Sequence, residues 1–236
     1  KILGLAWLEI LLLVIMTKII EWKSETPKNK FAPDWNIPFY SDIVFDSTTI
    51  EEIKNTILEK ESSIIKYFSD TVNDGGTGLG PNSLTSKFSK FNIFKWDYPW
   101  VLEMKKTIIS GLKTLEGSDT LDNKIYAQCW ANVMRKGQKI QPHWHSSFEH
   151  SYLGAHITIA AEDTKTYYEN PYNKFNIKAF DNIPGSLTIF PSYLIHWTDV
   201  YYGDKERITL AMDFFSEEYF LSTNQENIKN NFCLLE

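Results

Sequence analysis

The chain is poor in the residues that build the simplest metal and anion sites. It has only two cysteines, Cys129 and Cys233, far apart and in no metal-ligand spacing. A disulfide framework and a thiolate zinc site are therefore set aside, and both cysteines are expected to be free thiols of a reducing compartment, with a cytoplasmic location. No basic stretch interrupts the net charge of -6, which argues against sequence-independent binding to a phosphate backbone. Residues 74–81, Asp-Gly-Gly-Thr-Gly-Leu-Gly-Pro, are glycine-rich, but no Gly-Lys-Ser/Thr follows and no strand leads in. They read as a flexible loop and candidate lid rather than a phosphate cradle. There is no internal repeat and no low-complexity tract.

Long apolar runs are also scarce. The one candidate, residues 2–16, falls short of the roughly 20 apolar residues that span a bilayer, and Glu9 sits in its middle. Lys1 is a thin basic flank for a secretion signal, and no small-x-small cleavage site follows. Residues 1–16 are expected to be a leader from upstream translation or an expression artefact, because Met16-Thr17-Lys18 reads as a normal start. A membrane anchor is the less favoured alternative.

What remains is a chain of 236 residues that is 43% hydrophobic and 15% aromatic, enough for a substantial core in one domain over 17–236. Residues 22–42 contain Pro27, Pro33 and Pro38 and read as extended, with a short strand at 39–45. A capping cluster at 46–49 precedes a helix over about 50–69, where Ile50, Ile53, Ile57, Ile64 and Ile65 recur at helical spacing. A second helix is predicted over 98–115. Beyond it come short β-rich runs at 125–133, 140–145, 153–160, 187–190 and 208–214, followed by a tail read as a short polar helix or loose terminus. Helices cluster early and strands late. The predicted class is α+β, β-dominated: a double-stranded β-helix (jelly roll), core about 124–216, with supporting N-terminal helices over about 46–120.

All five histidines fall between positions 143 and 196. In His143-Trp144-His145, alternate residues of an extended strand would send both imidazoles to the same face. His196 follows on a distant run. Two ligands from one strand and one from another suit a transition metal in a β-barrel. Trp130, Trp144, Tyr193 and Trp197 are candidate pocket walls or core. His150 and His156 are not expected to be ligands, and His156 is read as a core or supporting residue.

From position 126 onward the sequence resembles the 2-oxoglutarate/Fe(II)-dependent dioxygenase superfamily, in the bacterial and phage branch distantly related to prolyl hydroxylases. The stretches that carry it are Cys129-Trp130-Ala131-Asn132-Val133, Lys136-Gly137, Pro142-His143-Trp144-His145, Leu153-Gly154, Pro184 to Tyr193 with His196, and Arg207-Ile208-Thr209. The resemblance implies a metal set of His143, His145 and His196 for Fe(II). It also implies 2-oxoglutarate as co-substrate, its distal carboxylate on Arg207 with Thr209 beside it and Asn132 near co-substrate or substrate. A guanidinium suits that task because its fixed fork meets a carboxylate bidentately.

One position departs from the common pattern: His145 stands where the superfamily usually has Asp or Glu. The branch it resembles commonly carries His-x-His. Glu149, in the following loop, is the alternative donor, and Asp199 the weakest. The implied activity is oxygenation, with O₂ consumed and succinate and CO₂ released, on a small-molecule or peptide substrate that the sequence does not identify. Two other readings stay open: a zinc-dependent hydrolase or hydratase on the same histidines, and a non-catalytic jelly-roll binding module.

Overall fold

The computed structural model describes residues 18–70, 73–121, 123–145 and 152–236. The apolar leader, Glu149 and His150 lie outside the described residues. Ten strands form two antiparallel sheets. The larger contains β1 (Ile19–Lys23), β2 (Asn36–Ile43), β3 (Ile125–Met134), β4 (Leu153–Ala160), β7 (Ser186–Pro191), β9 (Arg207–Ser216) and β10 (Cys233–Leu234), ordered β1-β2-β7-β4-β9-β3-β10. The smaller is β6-β5-β8, from β5 (Lys165–Asn170), β6 (Asn173–Asp181) and β8 (His196–Thr198). This is the jelly roll expected from the sequence.

Strand alternation decides which side chains face which layer. On β9, Ile208, Leu210, Met212 and Phe214 enter the main core, whereas Arg207, Thr209, Ala211 and Asp213 take the opposite phase, toward the inside of the roll. β3 does the same, with Ala127, Cys129, Ala131 and Val133 outward and Gln128, Trp130, Asn132 and Met134 inward. The outward face is covered by α1 (Ser47–Tyr67) and α2 (Pro99–Glu116), which contribute Ile53, Ile57, Met104, Ile108 and Leu112 to the same core. Burying such a side chain is worth about 1.5–3 kcal/mol. The helices seal one face of the sheet, and the other face is left for chemistry.

Both helices begin and end near where the sequence places them. Asp46 caps α1 by accepting from Thr49 N–H at 2.8 Å. Pro99 opens α2, and Gly117, at φ 67°, closes it with its N–H returned to Lys113 and Thr114. β2 tolerates Pro38 because that residue lies opposite Glu21 of β1, beyond the stretch where β7 pairs.

Three expectations need correction. Residues 140–145 form no strand, only a single bridge between His143 and His196. Pro142 has no N–H for a ladder, and the Gln141 N–H goes instead to the Thr77 carbonyl at 2.8 Å. The sequence reading also passed over β5 and β6, whose polar composition hides their period. The tail is helical, as one of its two readings had it, and not the loose terminus of the other: α3 (Glu217–Ser222) and α4 (Glu226–Asn231) bring Tyr219, Ile228 and Phe232 against Phe215, and β10 extends β3.

Gly185 links the loop before β7 to two neighbours, donating to the Thr158 carbonyl and accepting from Val44 N–H, both at 2.8 Å. Its φ is +86°, and an added Cβ would stand 2.5 Å from the Phe45 carbonyl oxygen. Gly185→Ala is therefore expected to destabilise the fold by about 2–4 kcal/mol, measured by urea unfolding.

Candidate metal centre

Backbone hydrogen bonds shape the mouth of the roll. His143 N–H donates to the His196 carbonyl at 3.1 Å, His196 N–H returns to the His143 carbonyl at 2.9 Å, and His145 N–H donates to the Ser192 carbonyl at 3.1 Å. The predicted alternation survives without a strand. Trp144 is 54% exposed, while the rings of His143 and His145 turn toward His196. Ring centroids are 4.4 Å apart for His143–His196, 4.9 Å for His145–His196 and 5.5 Å for His143–His145. One nitrogen from each ring lies within 4.8 Å of the others. That is wider than the ~3.0–3.4 Å separating neighbouring ligands with bonds of about 2.1 Å, so the rings would draw inward around an ion.

Hydrogen bonds set the tautomers of two of the rings. Nδ1 of His143 lies 2.8 Å from the Gln141 carbonyl oxygen, and Nδ1 of His196 lies 3.0 Å from that of Leu194. A carbonyl only accepts, so each Nδ1 carries the proton and each Nε2 keeps its lone pair. Burial, with the neighbouring His145 ring next, pushes His143 down to about 4, and burial drives His196 well below its ordinary value. Both are neutral near pH 7, the form that binds metal. Nδ1 of His145 lies 2.5 Å from Asp213 Oδ1, a partner the sequence reading missed.

Arg207, one of only two arginines in the chain, lies at the floor of the cavity that the histidines close. It is 1% exposed. Its Nε donates to Thr164 Oγ1 at 3.2 Å, one terminal nitrogen sits 3.4 Å from Met134 Sδ, and it forms no ion pair among the described residues. Burial lowers its pKa to about 10, which leaves it charged. Thr209 and Asn132 line the same cavity and are paired in register across β9 and β3. Asn132 also accepts from Thr85 Oγ1 at 2.6 Å. Thr166 and Thr198, unforeseen from the sequence, complete the polar wall.

The remaining candidates divide clearly. Trp130 and Trp197 line the inner cavity; Trp144 lines an outer one beside His143 and His145; Tyr193 lines neither. The glycine-rich loop supplies Asp74, Gly75 and Thr77 to the outer cavity. Asp199 is not brought to the histidines, since its Oδ2 accepts from Lys165 N–H at 3.1 Å. His156 is no part of the triad. It is buried at the cavity wall with Nε2 2.8 Å from the Tyr168 hydroxyl, as a supporting residue would be.

Burial, with the Arg207 charge second, holds His156 neutral down to about 3. An unfolded chain takes up this proton near pH 6.5 and the folded one refuses it, so stability falls as pH drops from 6.5 toward 3. The slope from this residue is about 1.4 kcal/mol per pH unit. His156→Asn should therefore reduce the acid destabilisation of the metal-free protein between pH 7 and 5 by about 2 kcal/mol, read from urea unfolding in chelator.

No family model matches the sequence, and no curated protein matches it. Solved structures do. The non-heme alpha ketoglutarate dependent carbocyclase SnoK from nogalamycin biosynthesis is 11% identical, covering 84% of this chain and 92% of its own, at a TM-score of 0.53. The Trichoplax adhaerens prolyl hydroxylase, solved with a hypoxia inducible factor peptide, is 13% identical over 79% and 87% at 0.50. HygX from Streptomyces hygroscopicus, solved with iron bound, is 9% identical over 76% and 82% at 0.50. At these identities the likeness is one of architecture: the chain has the jelly-roll fold of the 2-oxoglutarate/Fe(II) oxygenases.

Proposed function

We propose that this protein is an Fe(II)- and 2-oxoglutarate-dependent oxygenase. The observation that carries the reading is Arg207, a buried cation with no carboxylate partner among the described residues, at the floor of the cavity closed by three convergent imidazoles. Burying an unpaired charge is costly, and a ligand carboxylate is the natural compensation.

The donor set fits a divalent transition metal: three convergent imidazoles lining one cavity. His143, His145 and His196 would hold the metal. Arg207 and Thr209 would hold the distal carboxylate of 2-oxoglutarate, with Asn132 on the facing strand. When bound, Fe(II) and 2-oxoglutarate supply O₂ activation, with oxidative decarboxylation to succinate and CO₂. The chain's own contribution is placement. The Gln141 and Leu194 carbonyls fix two ring tautomers, the strands set the distance from Arg207 to the rings, and Trp130, Phe190 and Ile140 give the inner cavity its apolar lining. Substrate would meet the metal from the outer cavity, bounded by Phe88, Trp130, Trp144 and the glycine-rich loop. One neighbour was solved with a hypoxia inducible factor peptide and another comes from nogalamycin biosynthesis, so either a peptide or a small molecule suits this reading.

Three neutral imidazoles also suit zinc and hydrolysis. Arg207 favours the oxygenase, because a hydrolase has no general need of a buried cation there. No helix among the described residues is long and apolar enough to cross a membrane. With Cys129 and Cys233 unbridged, we place the protein in a reducing cytoplasm.

His143→Ala and His196→Ala should each abolish stoichiometric Fe(II) binding, measured anaerobically by equilibrium dialysis. Arg207→Leu should leave iron affinity unchanged and raise the 2-oxoglutarate concentration needed for the visible charge-transfer band by ten- to a hundredfold. A charge-assisted contact of about 1.5–3 kcal/mol implies that range. Equal loss of iron and co-substrate in Arg207→Leu would point to misfolding, and no 2-oxoglutarate band in wild-type iron protein would favour the zinc reading.

A further inference from the structure

Asp213 is the one acidic residue on the inward face of β9, where its neighbours in phase are Arg207, Thr209, Ala211 and Phe215. Its side chain is 18% exposed and that of His145 is 8% exposed. The two meet through Asp213 Oδ1 and His145 Nδ1, 2.5 Å apart. Both atoms are shut from solvent, and neither has another polar partner among the described residues. A carboxylate kept for fold stability would be expected to accept backbone N–H groups, as Asp46 does at the start of α1. Asp213 Oδ1 instead faces one ring.

The backbone makes room for that meeting. Gly154 on β4 is paired in register with Asp213, and a Cβ there would lie 3.2 Å from His145 Nδ1 and 3.3 Å from the Phe190 ring. A side chain at 154 would press the imidazole away from its place beside Asp213. Two adjacent strands thus supply a notch and a carboxylate for one histidine.

We propose that Asp213 is the positioning residue for His145, and that it returns to the site the negative charge lost when His145 replaced a carboxylate ligand. This inference rests on the three-histidine metal site proposed above. A carboxylate accepts the Nδ1 proton, which leaves the Nε2 lone pair for the metal and raises the donor strength of that ring. His143 and His196 have carbonyl oxygens in the same role, so all three rings become Nε2 donors. Only His145 has an anion behind it. The charge sits one imidazole away from the metal, without occupying a coordination position.

The test is metal affinity, read by chelator competition with Fe(II) and Co(II) under anaerobic conditions, together with the Co(II) visible spectrum. Asp213→Asn keeps size and an acceptor oxygen but removes the charge. It should weaken binding ten- to a hundredfold, leave stoichiometry at one, and shift the Co(II) bands, with the unfolding transition of the metal-free protein retained. Gly154→Ala leaves every polar group in place and should also weaken binding severalfold. It is the independent check if Asp213→Asn fails to fold. Wild-type affinity and spectrum in Asp213→Asn would overturn the proposal, and so would complete loss of metal matching His145→Ala, which would make Asp213 a direct ligand. Failure of the wild type to bind either metal would instead sink the three-histidine reading itself.

Discussion

The site depends on one reciprocal contact, the pair of backbone hydrogen bonds between His143 and His196. These residues are distant in sequence, and neither belongs to the large sheet. The contact joins the segment before residue 146 to β8, and β8 is held through β5 to β6. Because a bridge pairs residues rather than whole strands, it fixes the two rings side by side while Pro142 breaks the ladder on one flank. Without it the segment would still be tied to β8 by the Ile140–Thr198 pair and held by the Ser192 and Thr77 carbonyls, but the His143 and His196 rings would lose the pairing that sets them side by side. The chelating geometry is a property of backbone pairing first and of side chains second.

The second constraint is dielectric. The same burial that holds His156 and His196 neutral leaves Arg207 charged, since an arginine lowered to about 10 is still protonated near neutrality. The interior of the roll is thus a low-dielectric space with one permanent cation at its floor and neutral donors above. Thr164 and Met134 give Arg207 partial solvation without neutralising it. Such a guanidinium, held in one orientation and with no ion pair among the described residues, suits the anion site proposed above.

Much of this was legible in the sequence because it is written in short periods. The helical spacing of Ile50, Ile53 and Ile57, the cap at Asp46 and the alternation around Arg207-Ile208-Thr209 each follow from local geometry, and the structure follows them. His-x-His with a distant histidine was readable for the same reason, although a single bridge and not a strand produces the alternation. What escaped was set by contacts remote in sequence. Asp213 sits in an apolar run, where a lone carboxylate was the available signal, but only β4–β9 pairing and the gap at Gly154 bring it to His145. Thr164 reaches Arg207 across the fold from just before β5, and β6 is exposed along most of its length, so neither burial nor period marks it.

Charge is graded along the axis of the roll. At the outer cavity the described ionisable residues are Asp74 and Asp213 with the histidines, and the basic residue is Arg207 at the inner end. In the reading proposed above, a divalent cation would meet Asp74 beside the outer cavity and then the three imidazoles. A dicarboxylate approaching the same mouth meets the opposite field, and its favourable partner lies at the floor. Two like charges a few ångströms apart in a poorly screened space repel by several kcal/mol, on the order of 4 at 4 Å for an effective dielectric near 20. On the proposed reading the two ligands would be coupled: positive charge at the histidines would offset the nearby carboxylates and favour passage of a dicarboxylate toward Arg207. A ligand set of three imidazoles would leave that positive charge without a directly bound carboxylate, Asp213 acting on it from behind the ring of His145.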